Sequence, residues 1–164
     1  SGLWRYNIGD VVTFTSVNPY KIVISGRTKH FLNLCGEELM VGNADAAITG
    51  AAEACGVHVL NYTATVVPPT DHEKARHQWL IEFKEPPSDP VRFQKILDKL
   101  LCDQNSDYES KRNKNVALEM PEVVIARQNL FMDWLVKHGK TGGQQKIPRL
   151  QQKRDIMDDL LSMN

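Results

Sequence analysis

The chain has 164 residues, 41% of them hydrophobic and 24% charged, a size and balance that suit one globular domain with a substantial core. Its 20 basic residues offset its 20 acidic ones, which excludes nucleic-acid or anionic-membrane binding through bulk charge, because phosphate binding needs a basic surface. No apolar run approaches the roughly 20 residues that cross a bilayer, and SGLWRYNIGD at the start lacks the apolar core of a secretory signal, so a cytoplasmic piece of a longer chain is expected.

Residues 10–25 read as two strands joined at Asn18-Pro19, since β-branched and aromatic residues dominate and Asn-Pro starts turns. Gly26 breaks the run. A helix is predicted over 43–55, capped by Asn43 and closed by Gly56, with Ile48, Ala51, Ala52 and Cys55 at helical spacing. VHVLNYTATVV, 57–67, alternates as a strand that puts His58, Leu60, Tyr62, Ala64 and Val66 on one face. A polar loop with two prolines follows, and then QWLIEFK, 78–84, a strand with Trp79, Ile81 and Phe83 on one side.

The clearest helix runs over 90–103: Asp89 caps it, Pro90 takes the first helical position, and Phe93, Ile96, Leu97, Leu100 and Leu101 form its apolar stripe. A short polar helix is expected around SDYESKR and a strand around 120–126. Phe131, Trp134, Leu135 and His138 mark a helix ended by Gly139, and Ile156, Met157, Leu160 and Leu161 mark the last one. Strands interleaved with helices predict an α+β fold, a small mixed sheet flanked by helices behind an N-terminal β-hairpin. An isolated hairpin is marginal, so the first 20 or so residues are expected to belong with structure outside the chain.

Three local chemistries lack the residues they need. Cys55 and His58, with His72 and His77, have no second close ligand pair for structural zinc. Cys55 reads better as core, and His72 and His77 as solvated loop residues. Cys35 and His30 lie close in sequence, but nothing points to a lowered thiol pKa or an oxyanion hole. The three cysteines, Cys35, Cys55 and Cys102, suit small buried hydrophobes in a reducing compartment rather than a disulfide scaffold. GKTGG, 139–143, lacks the glycine five residues upstream, the feeding strand and the following helix that a phosphate cradle needs.

RYNIGD (5–10), SGRTKHFLNLCGEEL (25–39) and GGQQKIPR (142–149) are each bland alone; in this order and spacing they form a pattern. Together they resemble the adenylate-forming superfamily of acyl-CoA synthetases, peptide-synthetase adenylation domains and luciferases. Within it, GLWRYNIGD, SGRTKHFLN, GEEL and GGQQKIPRL are most similar to bacterial members of the auxin-responsive Gretchen Hagen family of acyl-acid amido synthetases, over nearly the whole chain.

That resemblance implies the fold of an adenylate-forming C-terminal domain. It divides the chain into a hairpin and hinge segment, 1–25, carrying the adenylate-ribose motif, and a mobile domain, 26–164; an N-terminal acyl- and ATP-binding domain lies outside the sequence. It implies a ligase that uses ATP and Mg2+ to adenylate a small carboxylic acid and passes the acyl group to an amine or amino acid. It makes Lys146 the catalytic lysine, Asp10 and Arg27 binders of ATP or AMP near the ribose, Lys29 the hinge, and Gly36 and Arg149 active-site helpers, with no metal site of the chain's own. The alternatives are another adenylate-forming ligase, such as one that makes CoA thioesters, and a non-catalytic interaction module of the same fold.

Overall fold

A computed structural model of the chain describes residues 4, 9–27, 31–113, 117–140, 142 and 146–164, with 25–27 described at the backbone. Strands β1 (Asp10–Val17) and β2 (Tyr20–Arg27) form an antiparallel hairpin turning at Asn18 and Pro19, as the sequence predicts. Val12 faces Ile24 and Phe14 faces Ile22 across the ladder, so the four share one face of the ribbon. All are exposed, from 42% at Val12 to 68% at Ile24. An apolar face of this kind contributes no burial to the rest of the chain.

Two-residue strands β3 (Phe31–Leu32) and β4 (Leu39–Met40) pair antiparallel and lead into helix α1 (Val41–Cys55). The helix begins two residues earlier than expected. Asn43 is therefore its third residue rather than its cap, and its Oδ1 accepts the Met40 N–H at 3.0 Å. Gly56 ends the helix as predicted, in a left-handed conformation (φ 65°) that glycine adopts without penalty.

The central sheet has the order β7-β6-β5-β8. Strands β5 (Val59–Val67) and β6 (Arg76–Phe83) run antiparallel; β7 (Glu122–Ala126) lies parallel to β6 at one edge, and β8 (Leu150–Gln151) parallel to β5 at the other. On one face Tyr62, Ala64, Val66, Trp79, Ile81 and Phe83 pack with α1, with α2 (Pro90–Gln104) and with Tyr108 of α3 (Ser106–Arg112). On the other, Leu80 and Ala126 meet α4 (Leu130–Lys137) and α5 (Asp155–Met163) through Leu130, Phe131, Trp134, Met157 and Leu160. This is the expected mixed α+β architecture, with the sheet between two helical layers.

Three sequence expectations need correction. Gly26 does not break the second strand: β2 runs on through it to Arg27, and Gly26 pairs with Val11 across the ladder. His58 and Leu60 do not share the face of Tyr62, Ala64 and Val66. The ladder slips between Val59 and Asn61, and the extra residue of a bulge reverses the alternation. Val59 joins the core instead, while His58 and Leu60 are exposed. His77 is not a solvated loop residue: β6 starts two residues earlier than predicted, and His77 is 1% exposed within it. His72 is exposed, and the three cysteines are free and half-buried at the rim of the main core. No helix among the described residues is long and apolar enough to cross a membrane.

α1 and α2 pack together through Gly50, where an added Cβ would stand 2.9 Å from Leu100 Cδ1. Leu100 is only half-buried and its methyl end can swing. Gly50→Ala is therefore expected to change stability by less than about 1 kcal/mol, helix propensity offsetting the contact. Gly50→Val, which carries two more methyls into the same gap, should cost about 1–3 kcal/mol. Urea unfolding at neutral pH separates the two, and equal effects would show that the helices do not touch at this position.

Candidate functional site

A cleft of about 730 Å³ opens between the C-terminal half of α1, the start of β5, α4 and the segment that precedes β8. Its floor is apolar, from Ile48, Ala52, Val59, Phe131 and Ile147. The charged groups on its walls are Asp45, Glu53, Lys146 and Arg149, with His58 nearby on the same lining. Lys146 is exposed, and among the described residues no carboxylate lies within ion-pair distance of it.

From Pro148 onward the chain is fastened to the sheet edge. Thr63 Oγ1 donates to the Pro148 carbonyl at 2.8 Å, and the Ala64 N–H donates to the Arg149 carbonyl at 2.8 Å. Leu150 and Gln151 pair with Ala64 and Thr65. Gln151 Nε2 donates to Thr63 Oγ1 at 2.7 Å, and Thr65 Oγ1 donates to the Gln151 carbonyl at 2.9 Å. Thr63 and Thr65 are fully buried, so these bonds satisfy hydroxyls that would otherwise be costly inside the protein. Lys146 stands two residues ahead of this fixed point, which limits its Cα to about 7 Å from that of Pro148. Ile147, between them, packs on the core of α4 and α5.

The Arg149 side chain turns back to α1. Its Nη1 forms an ion pair with Asp45 Oδ2, and its guanidinium carbon lies 5.5 Å from the centre of the Tyr62 ring. Tyr62 donates its hydroxyl to Asp45 Oδ1 at 2.6 Å and stacks on buried Trp79. Burial, and then the hydrogen bond and charge of Asp45, push the Tyr62 pKa far up, so the phenol remains a donor. Asp45 and Tyr62 carry no motif signal in the sequence: one is a polar position on a helix, the other an inward position on a strand, and their common partner is far along the chain.

The other expected site residues lie elsewhere. Asp10 and Arg27 are backbone partners at the open end of the hairpin, so the fold brings these two together. Lys29 and His30 lie outside the described residues, as do residues 5–8 of RYNIGD and 143–145 of the lysine loop. Gly36 is in the turn between β3 and β4 (φ 93°), with its N–H donated to Asn33 Oδ1 at 2.8 Å, and it does not line the Lys146 cleft. In the same turn Glu37 is fully buried. Its carboxylate accepts the N–H groups of Leu34 and Cys35 at 2.9 and 2.7 Å and meets His77 Nε2 at 2.8 Å. Burial raises the Glu37 pKa, but the bonds from His77, Cys35 and Leu34 outweigh it and hold the group at about 2. Among the described residues no group of three or more His, Cys, Asp or Glu is arranged to hold a metal ion.

Comparison with known proteins places this architecture. Solved structures with the same fold include the GH3.15 acyl acid amido synthetase, with a TM-score of 0.79 at 18% identity over 100% of this chain and 32% of that one. A second, the AtGH3.15 acyl acid amido synthetase in complex with 2,4-DB, gives 0.72 at 19% identity over 99% and 31%. The chain thus spans about a third of the length of the solved chains it matches. No curated protein matches it. The family model for the GH3 family C-terminal domain matches residues 42–155, well over half of the sequence, with the whole central sheet and helices α2 to α4 inside it, and the chain therefore belongs to the GH3 family, as its C-terminal domain.

Proposed function

We propose that this domain delivers the adenylation lysine of an ATP-dependent acyl-acid amido synthetase, a parent protein whose N-terminal domain binds ATP and the acid. The observation that carries the reading is Lys146: an ammonium at a cleft with no ion-pair partner among the described residues, two residues ahead of a backbone bolted to the sheet, in a GH3 C-terminal domain. When a carboxylate attacks the α-phosphorus of ATP, negative charge grows on the transferring oxygens and on the departing pyrophosphate. A lysine ammonium placed there stabilises that charge more in the transition state than in the ground state. In the second half-reaction an amine nitrogen attacks the acyl carbonyl and AMP leaves. No pyrophosphate departs in that step, so a lysine on a mobile domain can withdraw.

The domain division follows the same reading. Residues 1–25 are a hairpin and hinge segment and 26–164 the mobile domain, with Asp10 and Arg27 serving the adenylate ribose, Lys29 the hinge, and Gly36 and Arg149 assisting. The register pairing of Asp10 with Arg27 supports a shared ribose site. The exposed apolar face of Val12, Phe14, Ile22 and Ile24 supports docking of the hairpin on the N-terminal domain. Mg2+ accompanies ATP, and the described residues of this chain offer it no ligand set.

The full-length parent, given ATP, a carboxylic acid and an amine, is expected to form AMP only when acid and amine are both present. The 164-residue chain alone is expected to form no adenylate. Adenylate formation by the isolated chain would contradict the reading.

A further inference from the structure

The cleft holds two cations only three residues apart, and they are treated differently. Arg149 is committed: its guanidinium is paired with Asp45 and lies over Tyr62. Lys146 is uncommitted among the described residues, although it shares the cleft with two carboxylates, Asp45 and Glu53. Both oxygens of Asp45 are occupied, Oδ1 by the Tyr62 hydroxyl and Oδ2 by Arg149. Glu53 sits eight residues further along α1, about 12 Å away by helical rise.

Without Arg149, Asp45 would keep the Tyr62 hydroxyl on Oδ1 but have no cation on Oδ2, in a cleft whose remaining lysine is on the adjoining segment. Asp45 and Arg149 are 39% and 54% exposed at their side chains, so the pair contributes little to stability as a surface salt bridge. Its consequence lies in which cation the carboxylate takes. We propose, on the basis of the adenylation role given to Lys146 above, that Arg149 is a positioning residue: with Tyr62 it occupies Asp45 and so keeps that carboxylate from capturing Lys146. In this arrangement the guanidinium serves α1 and not the phosphates of the nucleotide. The ammonium of Lys146 is then free to meet negative charge that arrives from outside the domain, which an ion-paired lysine could do only after breaking its pair. Tyr62 contributes by filling the second oxygen and by giving the guanidinium a ring to lie on.

The test is a double-mutant cycle in the full-length parent, read as acid-dependent exchange of labelled pyrophosphate into ATP. Arg149→Met is expected to lower the exchange kcat about tenfold or more while moving the KM for ATP less than about threefold, the pattern of a misplaced catalytic group. Adding Asp45→Asn to Arg149→Met removes the competing charge and should restore exchange to within about threefold of the native rate. If Arg149 instead touches the nucleotide phosphates, the double variant stays as low as Arg149→Met or falls further, or the KM for ATP rises with the single change; either result overturns the proposal. Arg149→Lys keeps a cation on Asp45 and carries the test if Arg149→Met does not fold. It should keep at least about a third of native exchange, and a loss as deep as that of Lys146→Ala overturns the proposal. Lys146→Ala in the same assay separates the two levels. Exchange that survives it removes both the role of Lys146 and this inference, whereas exchange lost with Lys146→Ala and not recovered in the double variant removes the inference alone.

Discussion

Lys146→Ala in the full-length parent is expected to lower acid-dependent pyrophosphate exchange by roughly 10²–10³-fold, the usual loss when one preorganised donor to a developing anion is removed. The size of the effect follows from position. Lys146 is exposed and unpaired among the described residues, so the substitution removes no ion pair and leaves no buried group unsatisfied. The fastening of Pro148 and Arg149 to Thr63 and Ala64 is by backbone carbonyls and survives the change. Stability should therefore move by less than about 0.5 kcal/mol, as for most surface changes, while the chemical step loses its charge. Exchange within about threefold of native would remove Lys146 from the reaction.

The largest expected loss of stability is at Glu37, a residue with no part in the Lys146 cleft. Glu37→Ala deletes the acceptor of three hydrogen bonds, leaving the Leu34 and Cys35 amides and the buried His77 ring without their partner. Breaking a buried pair from one side typically costs about 3–5 kcal/mol. In a domain of this size that corresponds to a fall in Tm of about 10 °C. Glu37→Gln keeps an acceptor oxygen and should cost less. The pH dependence has a definite sign. The Glu37 pKa is depressed in the folded state from 4.5 to about 2, so its stabilisation is fully present above about pH 4.5 and is lost as the pH falls toward 2. Urea unfolding from pH 7 down to pH 3 checks both statements. A Glu37→Gln curve that runs parallel to the native one throughout this range would show that the Glu37 carboxylate is not the source of the acid sensitivity.

What could be read from the sequence was local in origin. Helix α2 is signalled by Asp89 and Pro90, and the structure has Asp89 accepting the Arg92 N–H at 2.9 Å with Pro90 opening the helix. The Trp79, Ile81 and Phe83 face is a simple alternation, and it packs as alternation requires. The failures were set by distant partners. The bulge that turns His58 and Leu60 outward exists in the pairing of β5 with β6, and no residue of β5 announces it. His77 looks like one more polar loop residue until Glu37, forty positions earlier, is folded against it. Strand β8 is two residues long and owes its form to docking on β5 through Thr63 and Thr65.

The candidate site divides in the same way. Lys146 is legible only through a motif, GGQQKIPRL, taken together with RYNIGD and SGRTK. By periodicity alone it is a loop lysine. The cleft around it could not be read at all, because its walls come from α1, β5 and α4, which approach only in the folded chain. Asp45 is the clearest case: an ordinary helical aspartate by sequence, it holds Arg149 and Tyr62 at once in the structure.

In the proposed mechanism Lys146 serves one half-reaction and not the other. The most direct measurement is single-turnover capture of a chemically prepared acyl-adenylate by an amine, comparing Lys146→Ala with the native full-length protein. Capture rates within about threefold of each other, beside the large loss in exchange, are the result expected of a lysine that acts only while pyrophosphate is leaving. A loss of capture as deep as the loss of exchange would contradict it.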